Sequence, residues 1–255
     1  MTTMRPSIAL AIADMNQHAL ARNALLHTLN SLEFNQLLIF SDDQSRWGEL
    51  PIIQIPPIKD TGEYNRIILH DLAGHVTCDY CMVIQYDGFI FNPDPFSPHY
   101  FSYDYIGSPW WHFPQPAVGN GGFSWRSKKL IETVTSLPYL DTSLPEDIFI
   151  WVQQRMQLET LHEITFSGQE IASHISVESM AMRYPIFGFH GIFHLPNVYR
   201  HSIDFQVDHL NPVTARNRQH LLIPGLEKVS VPPARCLFAS MGSDASATDS
   251  ITLRP

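Results

Sequence analysis

Asp14, Asp42 and Asp87 each stand just past a short apolar run: Ser7–Ala13, Leu37–Phe40 and Tyr80–Gln85. If those runs are parallel strands, the three carboxylates converge on the sheet edge where open α/β proteins bind ligands. Carboxylates there can hold sugar hydroxyls, a nucleobase N–H or a divalent cation. Asp87 lies in Gln85-Tyr86-Asp87-Gly88, where a turn role is the plainer alternative. Gly119-Asn120-Gly121-Gly122 removes Cβ atoms and lets backbone approach a ligand closely, unless it is an ordinary turn. It lacks the GxxxxGK[ST] spacing of a phosphate loop. Pro145-Glu146-Asp147 opens a helix, and Ser143 to Glu146 spells a capping box. That pattern makes Glu146 structural and leaves Asp147 available as a base. His190 and His194 share an aromatic segment, Phe187 to His194, where a histidine is more often a satisfied core residue than a ligand. Trp110 and Trp111 can stack on a sugar face or simply pack.

The elements that would position these groups alternate strand and helix. Ser7–Ala13 reads as a buried strand, and Asn16 can cap a helix carrying Leu20, Ala24, Leu25, Leu29 and Leu32 at helical spacing. Leu37–Phe40 and Ile52–Ile55 read as the next strands. Glu63–Leu72 reads as a helix and Tyr80–Gln85 as a fourth strand. This order implies βαβ units and a mostly parallel sheet. Beyond it, Phe89–Phe91, Tyr103–Gly107 and Gly121–Trp125 read as extended, Lys128–Thr135 as helical, and Ser108–Gly119 as a loop. A helix is expected from Glu146 to about Leu158, and a late strand over Glu163–Phe166. From Met241 the chain lacks apolar anchors, so 241–255 is expected to be a disordered tail and 1–240 a single domain.

A length of 255 residues suits one α/β domain that needs no disulfide or metal to fold. The net charge of −9 argues against a chain that grips nucleic acid, though a local basic pocket is compatible with it. Of the three cysteines, Cys78 and Cys81 form a CxxC, but no second pair completes a zinc site and Cys81 opens an apolar run. An odd cysteine count suits a reducing compartment. No apolar run approaches a membrane span, and the first residues lack a signal-peptide pattern, so a cytoplasmic location is expected.

Five segments stand in this order along the chain: Val83–Phe89 with Gln-Tyr-Asp-Gly, Tyr103–Trp111, Val118–Ser127 with Gly-Asn-Gly-Gly-Phe-Ser, Pro145–Asp147, and Phe187–Gly191. Together they resemble a poorly characterised bacterial and fungal family assigned as glycosyltransferases of the GT-A fold. The resemblance spans roughly Tyr64 to Gly191. It implies a Rossmann-like α/β domain with a central mostly parallel sheet and helices on both faces. It further implies transfer of a sugar from a nucleoside-diphosphate sugar, UDP favoured, to a carbohydrate or other hydroxyl acceptor, as in polysaccharide synthesis. GT-A enzymes hold a divalent metal, Mn²⁺ or Mg²⁺, with an Asp-x-Asp after the fourth strand. Here the matching tripeptide is Gln85-Tyr86-Asp87, so one anionic ligand is replaced by an amide. The resemblance assigns Asp87 and His190 to the metal, and Asp147, with Glu146 beside it, to the acceptor hydroxyl. Donor binding is expected from Asp14, Asp42, Arg66, Gln85, Asp87, Asn120, Gly121 and Gly122, with Arg126 as a further cation. Acceptor binding is expected from Trp110 and Trp111. Inversion at the anomeric carbon is expected, because no carboxylate nucleophile adjoins the donor site.

Three rivals share these residues. A glycoside hydrolase would use Asp87 and Asp147 as its carboxylate pair. A non-catalytic nucleotide or carbohydrate binder would explain Gln85. A histidine-rich metal hydrolase would draw on the 13 histidines, which are scattered and lack HExxH spacing.

Overall fold

The computed structural model describes residues 5–14, 17–110, 113, 117–178, 185–195 and 198. Strand β1 (Ile8–Ala13) lies at the centre of a sheet, followed by helix α1 (His18–Ser31) and β2 (Gln36–Ser41). Then come β3 (Ile53–Gln54), α2 (Thr61–Leu69), β4 (Tyr80–Ile84), β5 (Gly88–Ile90), β6 (Tyr105–Ser108) and β7 (Asn120–Ser127). Helices α3 (Lys128–Thr135), α4 (Arg155–His162) and α5 (Gln169–Ile175) and the short strands β8 (Ser176–Val177) and β9 (Gly188–His190) follow. The main sheet runs β3-β2-β1-β4-β7-β6. Strands β3, β2, β1 and β4 are mutually parallel, and β7 is antiparallel to both neighbours. The expected α/β fold with a mostly parallel central sheet is present. A second, three-stranded sheet runs β5-β9-β8.

Successive residues of the central strands feed opposite cores. Ile8, Leu10 and Ile12 join Met82 and Ile84 beneath Ala21 and Leu25 of α1. Ala9, Ala11 and Val83 join Tyr64, Ile67 and Ile68 of α2 and Ile131 of α3 on the other face. Helices therefore cover both faces, and each fully buried aliphatic side chain contributes about 1.5–3 kcal/mol. Cys78 and Cys81 are buried free thiols, and burial pushes Cys81 up to about 12, which suits packing and not redox exchange.

Several expected boundaries change. The strand at Ile52–Ile55 is only Ile53–Gln54, at the sheet edge before Pro56-Pro57. Helix α2 begins earlier, at Thr61, because Asp60 accepts from Glu63 N at 2.9 Å, and it ends at Leu69. The segment after Glu146 is not one helix. A π-helical stretch, Ile148–Gln153, precedes α4. Glu163–Phe166 is not a strand: Glu163 takes a left-handed φ of 53° that ends α4, and only Phe166 bridges to Tyr105. Helix α5 and strand β8 were not expected from the sequence. Asn16, Trp111 and the tail 241–255 lie outside the described residues; near Asn16, Asp14 Oδ1 accepts from Gln17 N at 3.0 Å, just ahead of α1.

Candidate active site

The parallel strands β1 and β4 end at one rim, and β7, running the other way, begins there. A cavity of about 500 Å³ opens at this edge, within the size range of small-molecule sites. Ala13, Asp14 and Gln17 line it from β1, and Lys59, Thr61, Tyr64 and Asn65 from the start of α2. Gln85 and Tyr86 come from the end of β4, and Asn120 and Gly122 from the start of β7. Pro145, Glu146, Asp147 and His190 complete the wall.

Gln85 and Gly88 exchange backbone hydrogen bonds of 3.2 and 3.1 Å, so Tyr86-Asp87 is a tight two-residue turn. Asp87 is thus a turn residue, as the plainer reading expects. A turn does not explain its side chain, however. Asp87 is buried, and its Oδ1 has no hydrogen-bond partner among the described residues. That oxygen lies 3.5 Å from His190 Nε2. The same nitrogen meets Gln85 Oε1 at 3.1 Å, while Gln85 Nε2 donates to the buried Tyr64 hydroxyl at 2.6 Å. These two bonds fix the orientation of the Gln85 amide. Burial favours neutral His190, but Asp87 and Glu178 outweigh it and raise the imidazole to about 10.

Asp87 and His190 have the donor chemistry that divalent cations take. Asp87 Oδ1 and His190 Nε2 are separated by a span that two metal–ligand bonds of about 2.1 Å bridge, and the Asp87 oxygen otherwise lacks a donor. They supply only part of a coordination shell: no group of three or more His, Cys, Asp or Glu clusters for a metal among the described residues.

The opposite wall carries two carboxylates with different partners. Glu146 Oε2 accepts from Arg126 Nη2 at 2.8 Å in a buried pair. Arg126 Nε also donates to Ser124 Oγ at 3.0 Å. Burial pushes Glu146 up to about 7, with Arg126 opposing. The capping box expected at Ser143 does not form. Ser143 Oγ turns to Asp141 Oδ1 at 2.5 Å, and the Arg126 cation draws the Glu146 side chain inward. Asp147 takes the capping position instead: Oδ1 accepts from Ile148 N at 2.8 Å and Oδ2 from Gly121 N at 3.3 Å. Burial raises its pKa, and these two backbone donors oppose the rise.

The glycines of the Asn-Gly-Gly segment make room for protein side chains. A Cβ on Gly122 would sit 2.1 Å from His190 Nε2, and one on Gly121 would sit 1.9 Å from Glu146 Oε1. The close approach expected there is made by the protein's own His190 and Glu146.

Of the residues expected from sequence, Asp14, Gln85, Asn120, Gly122, Glu146, Asp147 and His190 line the cavity, and Asp87 and Gly121 touch its wall. Asp14 Oδ2 pairs with His18 Nδ1 at 2.5 Å, a bond that raises His18. Asp42, Arg66 and Trp110 are not among the lining residues. Arg66 is exposed and bonds Asp71 at 2.6 Å. Trp110 is buried against Phe113 and Trp151. Lys59, Asn65 and Glu178 had no signal in the sequence. Asn65 Oδ1 accepts from Glu146 N at 3.2 Å, and its amide ties down Thr142 O and Leu144 O at 3.0 and 2.7 Å.

Residues 51–190 match the family model described as "Protein of unknown function (DUF5672)". The chain belongs to that family. The matched stretch takes in the DUF5672 cavity wall from Lys59 to His190 and leaves out Asp14 and Gln17. No curated protein matches the chain. Among solved structures, a Pyrobaculum calidifontis mannosyltransferase bound to GDP-Man and Mn²⁺ is similar at 11% identity, over 96% of this chain and 77% of that one, with a TM-score of 0.49. A Mycobacterium tuberculosis glucosyl-3-phosphoglycerate synthase with Mn²⁺, UDP-glucose and phosphoglyceric acid matches at 12% identity over 64% and 68%, TM-score 0.41. The galactosyltransferase LgtC with donor and acceptor sugar analogues matches at 10% over 72% and 86%, TM-score 0.41. The α/β class of this DUF5672 member follows from its own sheet order and does not depend on these likenesses. Among the described residues, no helix is long and apolar enough to cross a membrane.

Proposed function

We propose that this chain is a nucleotide-sugar glycosyltransferase of GT-A type that uses one divalent cation, Mn²⁺ or Mg²⁺. The observation that carries the reading is the pairing across one cavity of two unlike walls. One holds Asp87 beside His190, its Oδ1 without a hydrogen-bond partner among the described residues, and the other holds the Asp147 carboxylate. The first suits a cation on a diphosphate, and the second suits a base.

In this reading the nucleoside enters between Asp14 and the start of α2, with Tyr64 and Asn65 beside it. Asp87 and His190 would hold the cation, which when bound offsets charge on the departing diphosphate. Lys59, exposed at the cavity, adds a mobile positive charge. Asp147 accepts the proton of the acceptor hydroxyl as that oxygen bonds to the anomeric carbon and the sugar–diphosphate bond breaks. One displacement of this kind inverts the anomeric centre. Glu146 is unsuited to the proton, being engaged with Arg126.

Thermal shift with UDP, GDP and free sugars, each with Mn²⁺ or with EDTA, tests this. Stabilisation by a nucleoside diphosphate that grows with Mn²⁺ is expected. Stabilisation by free sugar alone would replace the transferase with a hydrolase or lectin.

A further inference from the structure

Glu178 has no part in the reaction described above. It follows β8, which runs parallel to β9 with Ser176 opposite Gly188 and Val177 opposite Phe189. The same register brings Glu178 alongside His190. Its Oε1 lies 3.7 Å from His190 Nδ1, with the two side chains 19% and 15% exposed. Glu178 Oε2 and His190 Nδ1 are both buried without a hydrogen-bond partner among the described residues. A shift of roughly half an ångström would close the pair to hydrogen-bond distance. The Glu178 backbone carbonyl is itself held by the His194 ring Nε2. The opposite ring nitrogen, Nε2, faces Gln85 Oε1 and Asp87 Oδ1 at 3.1 and 3.5 Å.

A histidine can ligate a metal only through a nitrogen that carries no proton. A carboxylate that accepts the N–H on one side of the ring selects that tautomer, fixes the ring plane and makes the opposite nitrogen a better donor. We propose that Glu178 is a positioning residue that accepts the His190 Nδ1–H and so presents Nε2 to a divalent cation shared with Asp87. This rests on the transferase reading and its cation. It also gives Gln85 a distinct task. With its amide anchored on Tyr64, Gln85 accepts the Nε2–H that the ring carries before a cation binds, a proton lost on ligation, and adds no second negative charge.

The test is Mn²⁺ titrated into the full chain and followed by the electron paramagnetic resonance signal of the free ion, with UDP binding measured separately in EDTA. Glu178→Gln should weaken Mn²⁺ binding about 10- to 100-fold while UDP binding in EDTA stays at the wild-type level. Glu178→Asp should recover part of the loss. In a His190→Ala background, Glu178→Gln should change Mn²⁺ binding no further, because the residue it orients is gone. Unchanged Mn²⁺ affinity in Glu178→Gln, or an equal loss with and without His190, overturns the assignment and leaves the transferase reading intact. A wild-type chain that binds no Mn²⁺ and takes UDP equally in EDTA overturns the cation reading, and this assignment with it.

Discussion

Arg126 reaches from β7 beneath the cavity to Glu146, Nη2 to Oε2 at 2.8 Å, with side chains only 2% and 5% exposed. The pair joins a central strand to the segment that carries Asp147. Coulomb attraction at such depth mainly repays the cost of removing both charges from water, so breaking the pair from one side leaves a bare charge inside. Glu146→Ala should lose about 3–5 kcal/mol of stability. Replacing both partners with apolar residues of similar volume, Arg126→Met with Glu146→Leu, should recover most of that loss. Urea unfolding of the three variants checks this. A Glu146→Ala protein as stable as wild type would mean that water reaches the pair.

Gly122 backs His190. A methyl group there would overlap the imidazole Nε2 at 2.1 Å, and the ring is hemmed in by Asp87, Glu178 and Gln85. Gly122→Ala should cost about 1–3 kcal/mol as an overpacked site and displace the ring from Asp87. Nucleotide binding with Mn²⁺ should fall, while binding in EDTA should change little. Calorimetric titration with UDP under both conditions reads this directly, and an unaffected Mn²⁺-dependent affinity would count against His190 as a ligand.

What the sequence made legible follows from the range of the forces involved. Strands β1, β2 and β4 announce themselves because a buried parallel strand is an apolar run, and α3 matches the expected Lys128–Thr135 because Ser127 caps it, accepting from Leu130 N at 3.0 Å. Asp14 and Asp87 were recognisable as residues just past the end of an apolar run. Glu146 was misread because its capping pattern is local, whereas the Arg126 cation that claims it is 20 residues away. Glu178 depends on the register of a two-residue strand against β9, and Asn65 on the path of the loop at Thr142–Leu144. Neither leaves a periodic trace.

Asp87 and His190 should act as a unit. Asp87→Ala and His190→Ala are each expected to weaken nucleoside-diphosphate binding when Mn²⁺ is present and to leave binding in EDTA near the wild-type value. The double variant should be little worse than either single one, since both remove the same cation. Additive losses that persist in EDTA would instead make the two side chains direct contacts to the diphosphate or the sugar.

Asp147 offers the sharpest division between a structural and a chemical role. Its Oδ1 and Oδ2 accept from Ile148 N and Gly121 N, so part of its purpose is to hold the start of the π-helical stretch against β7. Each carboxylate oxygen has a further lone pair, and the residue lines the cavity. Burial raises its pKa above the ordinary aspartate value, so the proton is held more firmly than by an exposed carboxylate. Only the ionised form can take the acceptor's proton, so kcat/KM should fall as pH drops through that raised value, with an acid limb displaced upward from that of an ordinary aspartate. The sign for stability is opposite. A group whose folded pKa is raised favours folding most when it is protonated, and that contribution is lost as pH rises through the folded value. Asp147→Asn keeps an oxygen for one backbone donor and removes the base. It should bind donor nucleotide normally, transfer at least about a hundredfold more slowly, and lose the acid limb from what activity remains. If Asp147→Asn turns over normally while Glu146→Gln is inactive, the base is Glu146 and the Arg126 pair must open during the reaction.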